Sequence, residues 1–354
     1  MTTPNHIPAQ SVVRLPRRGF LSGMAAVAGA TTLLGSLPAA IRTTIAAQPV
    51  GVPAAGQKKA ETLAQILHAS LSSNQKEAVC FPWDYVHPKF GLLRTRVGNN
   101  WNATEPSVGS SFFTKDQQHM VREIFEHLIE PEWHARFDKQ LEDDTGGFGH
   151  DQSIALIGEP GSGTFQFLLT GRHMTLRCDG DSAEHVAFGG PIFYGHDAGG
   201  FNEGPAHSGN VFWSQAVAAN GVYKMMDGRQ RGLAMVEKLP PENAVAFRDK
   251  KGDLPGIPVT EFSADQRAEL QRVLAMLLEP FRTSDRDEAR QCLEKQGGIE
   301  SCRLAFYREG DLGNDGVWDC WRLEGPSLVW HYRGAPHVHV WVNIADTPTI
   351  ATNS

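Results

Sequence analysis

The chain has 354 residues, 33 basic and 40 acidic, with a formal net charge of −7 and 41% hydrophobic residues. That length can bury one large core or two modest ones. The acidic balance argues against a nucleic-acid or anionic-membrane partner, since both need clustered cations.

Leu15-Pro-Arg-Arg-Gly-Phe-Leu-Ser22 is a twin-arginine pattern, followed by a small, apolar run from Gly23 to Ile41 and an Ala-rich peptidase site at Ile45-Ala-Ala47. This order predicts a twin-arginine signal over residues 1–47, engagement of that export machinery, and a periplasmic or extracellular mature chain without a membrane span. A membrane helix is the weaker alternative, because the run is rich in Gly and Ala, contains Pro38 and is interrupted by Arg42. Pro16 and Ser22 stand where stronger signals carry a polar residue and a lysine. The signal holds Arg14, Arg17, Arg18 and Arg42 and no acid; 33 basic residues less these four leave 29 against 40, a net charge of −11. Twin-arginine export moves folded proteins, often with a cofactor already inserted, which raises the expectation of a bound metal. The five cysteines, Cys80, Cys178, Cys292, Cys302 and Cys320, include no C-x-x-C pair and imply no disulfide scaffold. In an oxidising compartment one bridge, Cys292 to Cys302, would be open to them.

Residues 48–111 read as a linker, a short helix from Glu61 to Leu71 with Leu63, Ile66, Leu67 and Leu71 on its stripe, and an irregular segment. From 112 to 344 the pattern is a single α+β domain, with 345–354 as a tail. Thr114 and Gln117 make a capping box for a helix, and Pro131 suits the first turn of the next. Ser153 to Ile157 and Thr164 to Leu169 read as strands, the second continuing through Thr170 to Cys178 with His173, Thr175 and Arg177 on one face. The turn between them, Gly158 to Gly163, has phosphate-loop spacing but lacks the lysine and is followed by a strand, so that motif is rejected. A glycine-dense loop spans 189–210. Helices follow from an Asn210 cap to Met226, from Asp227 to Lys238, from a Ser263/Gln266 capping box, and from Asp285 to Gln296. The tail is a β-meander: Cys302 to Arg308, Trp318 to Glu324, Ser327 to Arg333 and His337 to Ile344. The fold expected is α+β, antiparallel sheet with this C-terminal meander packed against several amphipathic helices.

The last strand alternates strictly. Val338, Val340, Val342 and Ile344 share one face, and His337, His339, Trp341 and Asn343 the other. Two imidazoles at i and i+2 can hold one ion if a third ligand joins them and a position stays open. His173 is the first candidate for that ligand, with His196 and His207 of the glycine-rich loop behind it. Asp197 and Glu203 are candidate catalytic carboxylates. Zn, Fe and Cu all suit imidazole, with hydrolytic or redox chemistry respectively. His331 reads as structural, Trp318, Trp321, Trp330 and Trp341 as core or pocket wall, and Asp143-Asp144 as a solvated helix end. No H-E-x-x-H, G-x-S-x-G, C-x-x-C-H or dinucleotide fingerprint occurs. Two other classes stay open: a secreted protein that binds a small molecule or peptide without turnover, with the Trp and His face as its pocket, and a structural secreted domain.

Gly171-Arg-His-Met174, Pro191-Ile-Phe-Tyr-Gly195 and His337-Val-His339 resemble the secreted proteins called domain of unknown function 3500, over about residues 112–344. The first motif often reads Gly-His-His in that family, and Arg172 stands at its first His position. The resemblance therefore carries over only His173 there, and implies a fold without a reaction.

Overall fold

The computed structural model describes residues 59–180, 182–197, 211–248, 254–313 and 315–350. The predicted signal and the linker, residues 48–56, lie outside them. In chain order the helices are α1 (Lys59–Ser70), α2 (Ser73–Val79), α3 (Lys115–Leu128), α4 (His134–Thr145), α5 (Trp213–Met225), α6 (Gly228–Ala234), α7 (Ala264–Leu278) and α8 (Thr283–Lys295). The strands are β1 (Cys80–Phe81), β2 (Val86–His87), β3 (Gly91–Leu92), β4 (Ser153–Glu159), β5 (Thr164–Gly171), β6 (Met174–Cys178), β7 (Ile192–His196), β8 (Met235–Val236), β9 (Ile257–Pro258), β10 (Arg303–Tyr307), β11 (Cys320–Gly325), β12 (Leu328–Arg333) and β13 (Val338–Ile344). Eleven of them form one sheet in the order β1-β4-β5-β6-β7-β13-β12-β11-β10-β8, with β9 on β10; β2 and β3 pair apart. The pairing is antiparallel except where β1 and β8 add parallel to β4 and β10. The α+β expectation holds.

Alternation sets the two faces. Val338, Val340, Val342 and Ile344 join Trp330, Tyr332, Trp321 and Leu323 in the main core, and the amphipathic helices pack onto it. The capping boxes at Thr114/Gln117 and Ser263/Gln266 form as predicted. The second face is also buried, under irregular chain instead of helices. Leu93, Trp101 and Ala103 cover β4 and β5, while Val97 and Val245 cover Phe193, Val329 and Trp341. Arg177, fully buried on β6, donates to the carbonyls of Arg94, Arg96 and Pro191, which ties the irregular segment to the sheet. Gly158 has φ 81, and a Cβ there would stand 1.9 Å from the Thr164 carbonyl oxygen, so only glycine serves in that hairpin.

Four expectations are corrected. On α1, Leu67 enters the core, as does Leu71 just past its end, with Leu63 packed against it as expected, but Ile66 is left 40% exposed and Ala60 and Ala64 complete the stripe. Helix α5 begins after Phe212, and Asn210 lies outside the described residues. Helix α6 stops at Ala234 because Met235 and Val236 hydrogen-bond along β10 as an edge strand. All five thiols are free, so the Cys292–Cys302 bridge is absent; Cys292 Sγ lies 3.9 Å from the His185 carbonyl and Cys302 Sγ 4.0 Å from that of Gly298.

A pH dependence follows from the turn before β11. Burial, helped by Asp311 and Asp315, pushes Asp319 up to about 6 although it accepts the Leu312 N–H. The folded state then holds this proton more tightly than the unfolded chain. The stabilisation is complete below about pH 4 and is lost as pH rises through about 6. Chemical denaturation should show wild type losing on the order of 2 kcal/mol relative to Asp319→Asn between pH 4 and pH 7. Parallel curves for the two proteins would contradict it.

Candidate metal centre

The centre is built where β6 begins, β7 ends and β13 begins. His337 and His339 flank Val338 and point to the sheet face away from the helices. His339 is paired with Gly195 of β7. A Cβ on Gly195 would come within 2.4 Å of the Val338 carbonyl oxygen and 3.4 Å of His173 Cδ2, so the missing side chain leaves room for that ring. His173 is not on a strand face as expected. Gly171 pairs with Met174, which makes Arg172 and His173 the two-residue turn between β5 and β6. His173 takes φ 54 there, a left-handed conformation that His tolerates better than most residues, and its N–H donates to the Asn99 carbonyl at 2.8 Å. The Arg172 N–H is held by Asp151 Oδ2 at 2.6 Å.

The three imidazoles converge by one nitrogen each. His339 Nε2 lies 3.1 Å from His173 Nε2 and 2.9 Å from His337 Nε2, and the three ligand nitrogens lie within 4.8 Å of one another. Their outer nitrogens face carboxylates. His173 Nδ1 is 2.8 Å from Asp144 Oδ2, His339 Nδ1 is 2.9 Å from Glu242 Oε2, and His337 Nδ1 is 3.8 Å from Asp197 Oδ2. His173 and His339 are buried, and His337, with 22% of its side chain exposed, marks the solvent side. Arg172 pairs with Asp197 at 3.1 Å, and Arg333 reaches Glu242 Oε1 at 3.4 Å.

Burial, with Arg333 adding positive charge, pushes His337 down to about 4 and His339 to about 3, the latter against the opposing pull of Glu242. Both are neutral imidazoles near pH 7. For Glu242, burial works upward, but the hydrogen bond from His339 and the charge of Arg333 outweigh it and hold the carboxyl at about 2. For Asp144, the His173 bond, Gln140 and the Asp197 N–H likewise outweigh burial and leave it below the ordinary value. Ionised carboxylates only accept, so the Nδ1 atoms of His173 and His339 carry the protons. The two Nε2 atoms then stand 3.1 Å apart, a separation that a proton or a metal cation between them would suit. Tetrahedral zinc with bonds near 2.0–2.1 Å separates its nitrogens by about 3.3 Å, so the two pairs that share His339 open by a few tenths of an ångström, while the third pair, within 4.8 Å, closes by up to about 1.5 Å. These residues fit a metal.

The other candidates separate. His196 pairs with Val338, which puts it on the helix-covered face opposite His339. It is fully buried, its Nε2 2.9 Å from Asp143 Oδ2, and it does not join the trio. Asp197 stands behind His337, on its Nδ1 side. Glu203 and His207 lie outside the described residues. His331 is buried, its Nδ1 accepting from Arg322 at 3.2 Å. Asp143-Asp144 is not the solvated helix end expected: the two carboxylates reach His196 and His173, and the Asp144 side chain is fully buried. Two acids in the last turn of α4 oppose the helix dipole, a local misfit that could have flagged them. Glu242, in an irregular segment, carried no such signal.

Fold and site define an α+β protein with a buried three-histidine group able to hold a metal. The chain belongs to the family described as Protein of unknown function (DUF3500), whose profile matches residues 53–342. No curated protein and no solved structure matches it. Among the described residues no helix is long and apolar enough to cross a membrane.

Proposed function

We propose that the protein is an exported, metal-dependent hydrolase with one zinc ion held by His173, His337 and His339. The supporting observation is the convergence of three Nε2 atoms whose outer nitrogens each face a carboxylate, the carboxylate–histidine pattern that orients zinc ligands. Three protein ligands among the described residues suit a catalytic zinc, which keeps its fourth position for water or substrate. The donor set favours zinc over the common redox alternatives. The carboxylates stand behind the imidazoles and not beside the convergence point, unlike a two-His-one-carboxylate iron site, and the trio includes no thiolate of the blue-copper kind. Bound zinc would supply Lewis acidity and lower the pKa of a water to near 7. Asp144 and Glu242 fix tautomer and orientation. Arg172 and Arg333 offset the charge of the carboxylates that stand behind the rings. Export through the twin-arginine route, supported by Arg17-Arg18 and the following apolar run, belongs to the same reading.

The test is elemental analysis of protein exported through its own signal, beside the His173→Ala/His337→Ala/His339→Ala protein. We expect about one equivalent of zinc against none, as such affinities imply. Less than about a tenth of an equivalent of any transition metal in the wild type refutes the proposal. Glu242→Gln and Asp144→Asn should each retain the fold and lower zinc affinity about 10- to 100-fold in a chelator competition. Unchanged affinity in both would show that the carboxylates do not tune the centre.

A further inference from the structure

A second concave feature lies beside the turn that carries His173. It is a cleft of about 820 Å³ in the irregular segment between β1 and α3, lined by Phe81, Tyr85, Phe90, Arg96, Asn100 and Glu105 among others. That size falls in the range of small-molecule sites. Its walls are aromatic. Phe81 stacks on Tyr85 at 4.7 Å, His87 stacks on Phe90 at 4.6 Å, and Trp101 meets Phe90 edge-on at 5.0 Å. Two cations share the Phe90 ring, Lys89 Nζ at 5.2 Å and Arg96 Cζ at 5.8 Å from its centroid. Among the described residues neither cation has a carboxylate within ion-pair distance. Arg96 Nε is buried with no hydrogen-bond partner. A guanidinium held this way gains most from a planar oxyanion, which it meets with two parallel hydrogen bonds. Glu105 is the one acid lining the cleft, so Lys89 and Arg96 leave a single net positive charge, suited to a monoanion.

We propose that this cleft binds a monoanionic carboxylate carried on a ring, the carboxylate on Arg96 and the ring face against Phe90 and Tyr85. Two sources share that chemistry, an acidic sugar of the uronate type and an aromatic carboxylic acid. The Asn100 side chain, exposed at the cleft edge, is placed to meet sugar hydroxyls in the first case. The Asn100 backbone bridges Arg172, so this end of the cleft adjoins the histidine centre, but the proposal does not depend on metal there.

Calorimetric titration of the full-length protein with galacturonic acid, with its neutral counterpart galactose, and with phenylacetate tests it. We expect one or both carboxylates to bind, with galactose at least about tenfold weaker. Arg96→Gln should lower that affinity about tenfold, the loss of one charge-assisted pair, and Arg96→Lys should recover part of it. Binding must persist in chelator-treated protein and in His337→Ala, which separates this site from the metal centre. Galacturonic acid alone identifies the sugar source, and phenylacetate alone the aromatic one. If Arg96→Gln lowers the melting temperature, Lys89→Gln at an exposed position takes its place, with a smaller loss expected. No heat from either carboxylate up to 10 mM overturns the proposal, as does equal affinity for galactose or indifference to both substitutions.

Discussion

His339→Ala is expected to lower zinc affinity at least about a hundredfold, because about 10–16 kcal/mol of zinc binding shared over four ligands is roughly 3 kcal/mol for each. His339 is the right residue to remove. Its Nε2 lies between those of the other two, so its loss leaves His173 and His337 without the nitrogen that brings them together. The apo fold should survive. Glu242 keeps Arg333 at 3.4 Å and the Trp341 N–H at 3.3 Å, so its carboxylate is not stranded when the imidazole goes. The discriminating measurement is the melting temperature with and without zinc. A ligand at one hundred times its dissociation constant stabilises the folded state by about 2.7 kcal/mol. Wild type should therefore gain several degrees on adding zinc, and His339→Ala almost none at the same concentration. An equal gain in both would place the metal elsewhere.

His337 and His339 were legible because the alternating Val338, Val340, Val342 and Ile344 declare a strand with one face in the core. The helix starts were legible where a side chain caps the backbone locally, as at Thr114 and Ser263. Ser72 and Gln75 cap α2 in the same way, and the same pattern would have found that helix. His173 was picked out, but in the wrong setting: Gly171 to Cys178 alternates well enough to hide a reversal at Arg172 and His173. The sequence could not separate His196 from the trio either. That exclusion depends on register, since Gly195, not His196, lies opposite His339, and one residue of shift would exchange them. The carboxylates were least visible. Asp144 comes from a helix end and Glu242 from irregular chain, and only tertiary packing brings them to the imidazoles.

The largest effect on stability is expected at Arg282, just before α8. Its guanidinium takes Glu61 through two contacts, Nη2–Oε1 at 2.6 Å and Nη1–Oε2 at 3.0 Å, and Asp285 through Nε at 2.8 Å. Glu61 and Asp285 are 6% and 5% exposed, and each sits in the first turn of its helix, where the dipole favours a negative charge. Burial alone would lower the arginine, but Asp285 and Glu61 outweigh it and its affinity for the proton rises. Arg282→Met keeps much of the side-chain volume and leaves two buried carboxylates unpaired, at a cost of about 3–5 kcal/mol. In a protein of this size that should lower the melting temperature by roughly 10 °C. Adding Glu61→Gln and Asp285→Asn to Arg282→Met should restore a good part of the loss, because the penalty comes from the stranded charges and not from a missing attraction. A single variant that melts within about 2 °C of wild type would show that water already reaches these carboxylates. A triple variant less stable than the single would show that the ion pairs themselves hold α1 to α8.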